Sequence, residues 1–185
     1  PKQSESAVSA LNAATGEPLP VSSGRSIIKV GTAASYRIRT LSGLSGELVL
    51  IDRQRSLVGG ETYNYVLLFP NPYILAREDT TIGPEQTIEI GGNGSEFQLR
   101  ATINDPGAMV ERGDIIALIV PRSLALVDAL APANPARGFA ADMERSPATI
   151  AILDNANAWL DQHLDGRDIS TYAGAAMIPY EIRAE

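Results

Sequence analysis

Cysteine is missing from this 185-residue sequence. Its absence excludes disulfides, thiolate metal sites and cysteine nucleophiles together. Histidine occurs once, at His163, so no multi-histidine metal centre can be assembled within the chain. A catalytic imidazole also needs a nucleophile to serve and a partner to fix its tautomer. Asp161, two positions away, would lie on another face of a helix, so His163 reads as an exposed or partly packed side chain. Runs of Lys and Arg are absent too. Arg37, Arg39, Arg53, Arg55, Arg77, Arg100 and Arg112 are dispersed, and the formal net charge is -7. That balance argues against a phosphate-backbone binder, which carries a basic patch, so nucleic acid is not an expected partner. No apolar run approaches the ~20 residues of a membrane helix, and no membrane insertion is expected.

Catalytic motifs are equally scarce. Gly43-Leu44-Ser45-Gly46 lacks the spacing of a nucleophile elbow and precedes a strand rather than a helix. Gly91-Gly92-Asn93-Gly94 leads into a strand, so it is a turn and not a phosphate cradle. Asp165, Gly166 and Asp168 lack the oxygen-ligand spacing of a calcium loop. Paired carboxylates could hydrolyse glycosides, and Glu78 with Asp79, or Asp52 at a strand end, are candidates. In a chain with 22 acids, they read first as ordinary surface or strand-end charges. No enzyme, metal or cofactor is implied.

What is present is a β pattern. Hydrophobic residues make up 44% of the chain, enough to build a core and to argue against disorder. The organising stretch is GELVLIDRQRSLVGGETYNYVLLFPN, residues 46–71. Leu48-Val49-Leu50-Ile51 and Val66–Phe69 are apolar on both faces, as expected of central strands. The tip between them, residues 54–64, is too long for a two-residue turn. Residues 34–40 alternate Tyr36 and Ile38 against Arg37 and Arg39, which is period two. Ser26–Val30, Thr87–Ile90, Glu96–Ile103 and Asp114–Val120 add further strands. Ala175–Arg183 closes the chain, and Pro179 within it points to an edge strand or its entry.

The flanks differ. Residues 1–24 are rich in Ser, Ala and Pro and read as a linker or flexible segment, which leaves 25–185 as a single domain. Residues 122–130 have spacing for a short helix. Ser146-Pro147 resembles a helix cap with proline at the first helical position. Ile152, Leu153, Ala156, Trp159, Leu160 and Leu164 then form one apolar stripe. The expected fold is mainly β: an antiparallel sandwich or partly closed barrel, with one or two C-terminal helices packed on it at about 122–165.

Phe69-Pro70-Asn71-Pro72-Tyr73 sets two aromatics around a rigid turn. Turn architecture explains it first. Phe69, Asn71 and Tyr73 are also the candidate interaction surface, for a peptide or a cell-wall glycan.

Residues 32–121 resemble a bacterial domain of unknown function that follows caspase-like peptidase domains or protein kinase domains. The matching stretches are ASYRIRT (34–40), GELVLID (46–52), the LFPN box (68–71), IGPEQTIEI (82–90), EFQLRA (96–101) and DIIALIVPR (114–122). IPYEIR (178–183) is similar to the closing strand of longer members. The hairpin tip here is longer than the family's. The resemblance implies a non-catalytic accessory or protein-interaction domain of a multidomain protein, with an adjacent domain or protein as its partner. It favours a periplasmic or secreted, envelope-associated setting over the cytoplasm. The alternative is a ligand-binding sandwich for glycan or peptide.

Overall fold

Alternation and double-sided apolar runs sort into two sheets. The computed structural model describes residues 6–40, 45–56, 62–70, 80–95, 98–105, 107–120, 141–142 and 174–184. The strands are β1 (Ser6–Asn12), β2 (Val21–Ser22), β3 (Arg25–Lys29), β4 (Ala33–Thr40), β5 (Gly46–Ser56), β6 (Thr62–Phe69), β7 (Thr81–Ile82), β8 (Thr87–Ile90), β9 (Leu99–Arg100), β10 (Val110–Val120), β11 (Ala141–Asp142) and β12 (Gly174–Arg183). The smaller sheet runs β1-β4-β8, with β9 also paired to β4. The larger runs β11-β6-β5-β10-β12-β3-β2, with β7 paired to the start of β5. The fold is thus mainly β, with two sheets in a sandwich-like arrangement. The expected helices at 122–130 and 147–165, including Trp159 and His163, lie outside the described residues.

The core lies between the sheets. Tyr36 and Ile38 of β4 and Ile90 of β8 meet Leu48 and Leu50 of β5, Ile115 and Ala117 of β10, and Ile182 of β12. Period two places these side chains on the inner faces. In β5 and β10 the intervening residues are buried as well: Val49, Ile51, Ile116 and Leu118. The expectation of central strands is met, since β5 pairs with β10 on one side and with β6 and β7 on the other.

Three expectations change. Residues 6–24 are not a linker. β1 pairs with β4 over seven residues, and Leu11 is 2% exposed. The chain returns through an Asn12 turn, with the Ala14 amide donating to Asn12 Oδ1 at 2.9 Å. Ser23 and Gly24, both at positive φ, then join β2 to β3 as a two-residue hairpin turn. Small residues and turn residues gave this segment the composition of a linker, while Leu11 and Leu19 bury it in the domain.

Among the described residues, Pro179 marks an edge only locally. β12 runs antiparallel to β10 and, from Tyr180 onward, parallel to β3. Pro179 sits one residue before the parallel ladder begins, where β12 has only β10 beside it, so no bond is lost there. This single parallel pair also departs from a wholly antiparallel sandwich.

The hairpin tip is shorter than expected. β5 and β6 stay paired as far as Ser56 and Thr62, leaving only 57–61 between them. Among the described residues of the segment 96–103, the ladder covers Leu99 and Arg100. Ala101 nevertheless exchanges backbone bonds with Gly31 and Thr32 and is buried.

Leu11→Ala should cost ~2–5 kcal/mol, read by denaturant unfolding. An unchanged midpoint would return residues 1–24 to a linker.

Candidate functional site

Asp52 follows Leu48 and Leu50 at period two on β5, so it points to the inner face of the large sheet. A cavity of about 550 Å³ opens there between the sheets. Its apolar lining includes Ile28, Val66, Leu68, Leu99 and Ile182, and its polar lining Tyr36, Asp52, Gln54, Asn104 and Tyr180. Arg100 and Thr102 also line it.

Tyr180, Asp52, Gln54 and Asn104 belong to one connected network. Tyr180 Oη donates to Asp52 Oδ1 at 2.8 Å, and Gln54 Nε2 donates to Asp52 Oδ2 at 3.0 Å. Asn104 Nδ2 donates to Gln54 Oε1 at 3.2 Å. The Asn104 backbone amide donates to Glu111 Oε2 at 2.6 Å, and its side chain to Glu111 Oε1 at 3.3 Å. The network ties β12, β5, the segment after β9 and β10 into one unit.

Gly113 makes the key bond possible. It faces Tyr180 across one ladder and Gln54 across the other. A Cβ at Gly113 would fall 2.5 Å from Tyr180 Cζ and 2.7 Å from the Arg53 carbonyl oxygen. The phenol ring therefore lies across a strand with no side chain at that point and reaches Asp52 on the strand beyond. An aromatic covering a strand glycine in this way also shields the exposed backbone.

Burial pushes the Asp52 carboxyl up from 3.8 to about 6, and the charges of Glu111 and Asp114 push the same way, against the bonds from Gln54 and Tyr180. Glu111 is raised too, chiefly by burial, with the Asn104 backbone bond opposing. Burial and then the Asp52 charge lift both Tyr180 and Tyr36 well above the usual phenol range. Both tyrosines are neutral hydroxyls at any physiological pH.

The reverse face of the same strands carries ion pairs. Arg53 binds Asp114 through Nη2 at 2.8 Å and Nε at 3.1 Å. Glu181 accepts from Arg183 at 2.7 Å and Arg112 at 2.9 Å, and those arginines, Arg183 first, hold its carboxyl below the usual range.

Phe69, expected at a surface, is 5% exposed and packs in the core. Asn71 and Tyr73 lie outside the described residues, as do Glu78, Asp79, Asp165 and Asp168. Asp52, considered only as a strand-end acid, sits instead mid-strand at the cavity. Tyr36, Gln54, Asn104, Glu111 and Tyr180 were not singled out, although the acid on the Leu48–Leu50 face was a readable signal. Among the described residues no group of three or more His, Cys, Asp or Glu could hold a metal ion, and no helix is long and apolar enough to cross a membrane.

Comparison of the chain with family models, curated proteins and solved structures gives no match.

Two measurements check this geometry. Gly113→Ala should destabilise by at least ~2 kcal/mol, since it displaces Tyr180 or the β5 backbone; an unperturbed unfolding midpoint would mean that the ring does not lie there. For Asp52, the folded pKa exceeds the unfolded value, so the folded state binds more protons between them. Ionisation then costs stability as pH rises from about 4 to about 6, by an amount on the order of 2 kcal/mol. Relative to Asp52→Asn, the wild type should lose stability across that window. A carboxyl resonance titrating near 4 would contradict the burial.

Proposed function

We propose that this chain is a non-catalytic accessory domain of a larger bacterial multidomain protein, that it works by binding, and that its ligand seat is the cavity between the two sheets. One observation carries the reading: a partly open cavity of about 550 Å³ whose lining combines apolar residues with a fixed polar network. Small-molecule and side-chain seats have this size and this division of labour. Binding is favoured over hydrolysis because, among the described residues, the lining offers one carboxyl group, that of Asp52. Glu111, the next acid in the network, is engaged by Asn104 through both oxygens and is not among the lining residues. Carboxylate-pair chemistry needs two acids facing one substrate.

The resemblance over residues 32–121 supports the accessory role, and with it a neighbouring caspase-like peptidase or kinase domain and an envelope-associated or secreted setting. The turn at Phe69, Asn71 and Tyr73 is the weaker seat, since the Phe69 ring is spent in the core.

The proposal extends to the outer face of the large sheet. Val49, Ile51, Leu67, Ile116 and Leu118 are buried there, and we propose that the stripe Ile152, Leu153, Ala156, Trp159, Leu160 and Leu164, whose spacing is helical, packs on them. Trp159→Ala should then cost ~3–5 kcal/mol. Native fluorescence typical of solvent-exposed indole, with no loss of stability on substitution, would detach the stripe from the sheet.

Binding is tested by following backbone amide resonances while adding amines, sugars and short peptides. Shifts should cluster on Tyr36, Gln54, Asn104 and Tyr180. Shifts confined to the Arg112–Glu181 face would move the seat. Turnover of a peptide or glycan, abolished in Asp52→Asn, would overturn the non-catalytic reading.

A further inference from the structure

The polar end of the cavity is rich in acceptors and poor in positive charge. The Asp52 carboxyl meets Tyr180 and Gln54, both neutral donors. Glu111 and Asp114 stand close enough to add negative potential at Asp52. The neighbouring arginines are committed elsewhere. Arg53 binds Asp114 on the reverse face. Arg100, at the cavity wall, donates to the Gly31 carbonyl at 3.3 Å and to Gln98 Oε1 at 2.9 Å. Tyr36 lines the same space and is 5% exposed. Its hydroxyl oxygen and that of Tyr180 add acceptor lone pairs near Asp52, whose carboxyl is already held in place by two donors.

We propose that this end of the cavity seats a primary ammonium group carried on an apolar stem, with the ammonium between Asp52 and the hydroxyl oxygens of Tyr36 and Tyr180, and the stem along Leu68, Leu99 and Ile182. The inference rests on the binding function proposed above and names its ligand class. An ammonium is a donor with three N–H bonds and no acceptor, which suits a site whose open capacity is acceptor lone pairs. It relieves the repulsion among Asp52, Glu111 and Asp114, and the two phenol rings give it further electrostatic attraction. A carboxylate or phosphate head would meet the same potential with the wrong sign. The chemistry is shared by a free alkylamine and by a lysine side chain on a peptide.

The test uses hexylammonium, hexanol, hexanoate and a short lysine-containing peptide with blocked ends, titrated into the full chain and followed by amide shifts at the cavity. At about pH 8, hexylammonium should bind about ten-fold more tightly than hexanol, the ratio expected of one charge-assisted hydrogen bond. Hexanoate should bind most weakly. Asp52→Asn should lose the ammonium preference while still binding hexanol, which shows that the cavity survives the substitution. Tyr36→Phe, which keeps the ring, should lose part of the preference. The preference should shrink at about pH 5, as Asp52 protonates within the field of Glu111, Asp114, Tyr36 and Tyr180 and across the cavity from Arg100. Binding of the peptide as well as hexylammonium assigns the site to a protein-borne lysine; binding of hexylammonium alone assigns it to a small amine. Equal affinity for hexanol and hexylammonium, or an Asp52→Asn variant with the preference intact, overturns the ammonium inference and leaves the cavity as a seat. Absence of cavity shifts with all four probes overturns the binding seat itself.

Discussion

A single hydrogen bond reaches across a strand, and the polar end of the sandwich is arranged around it. Tyr180 on β12 bonds Asp52 on β5 although β10 lies between them. That span requires a position on β10 with no side chain, and Gly113 supplies it. It requires β10 to be in register with both neighbours at that position, and both ladders meet there. It also requires the acid to accept burial, because Asp52 lies on the inner face of the large sheet. Without the glycine the ring would be expelled, and the acid would keep its desolvation cost with one donor fewer.

The network beyond Asp52 explains why the segment after β9 is held although its ladder is short. Only Leu99 and Arg100 pair with β4. Asn104 then bridges Gln54 and Glu111, so hydrogen bonds to two strands of the opposite sheet replace the missing ladder. The two sheets are joined there by polar contacts at the rim and by apolar contacts deeper in. The hydrogen-bonded part of the cavity lining is thereby held in place, with little side-chain freedom to lose when the cavity is filled.

Much of the fold was legible because strand chemistry is local. Leu48–Ile51 and Asp114–Val120 announced burial on both faces, and both strands are central. Tyr36 and Ile38 against Arg37 and Arg39 announced one inner and one outer face, and Ile38 is fully buried. Residues 6–24 misled because short side chains fill narrow space near β4 as well as they populate a linker, and composition cannot separate the two. Pro179 misled because an edge at one residue need not be an edge along the whole strand. The candidate site was almost invisible. It depends on Tyr180 lying 128 positions from Asp52, and nothing local to either residue predicts that meeting. Period two did place Asp52 on the core face of β5, and a charged residue on a core face was the one clue available.

The position of β12 carries a consequence for how the chain is made. It enters the large sheet between β10 and β3, the latter formed from residues near the other end of the sequence. On a ribosome, β3 and β10 emerge well before the strand that joins them. Until residues 174–183 are released, each keeps an unpaired edge, and β10 is apolar along most of its length. Such edges invite pairing with other chains. The domain therefore completes its assembly only after synthesis has passed its last strand, and its exposure to misassociation is set by the time spent waiting for β12.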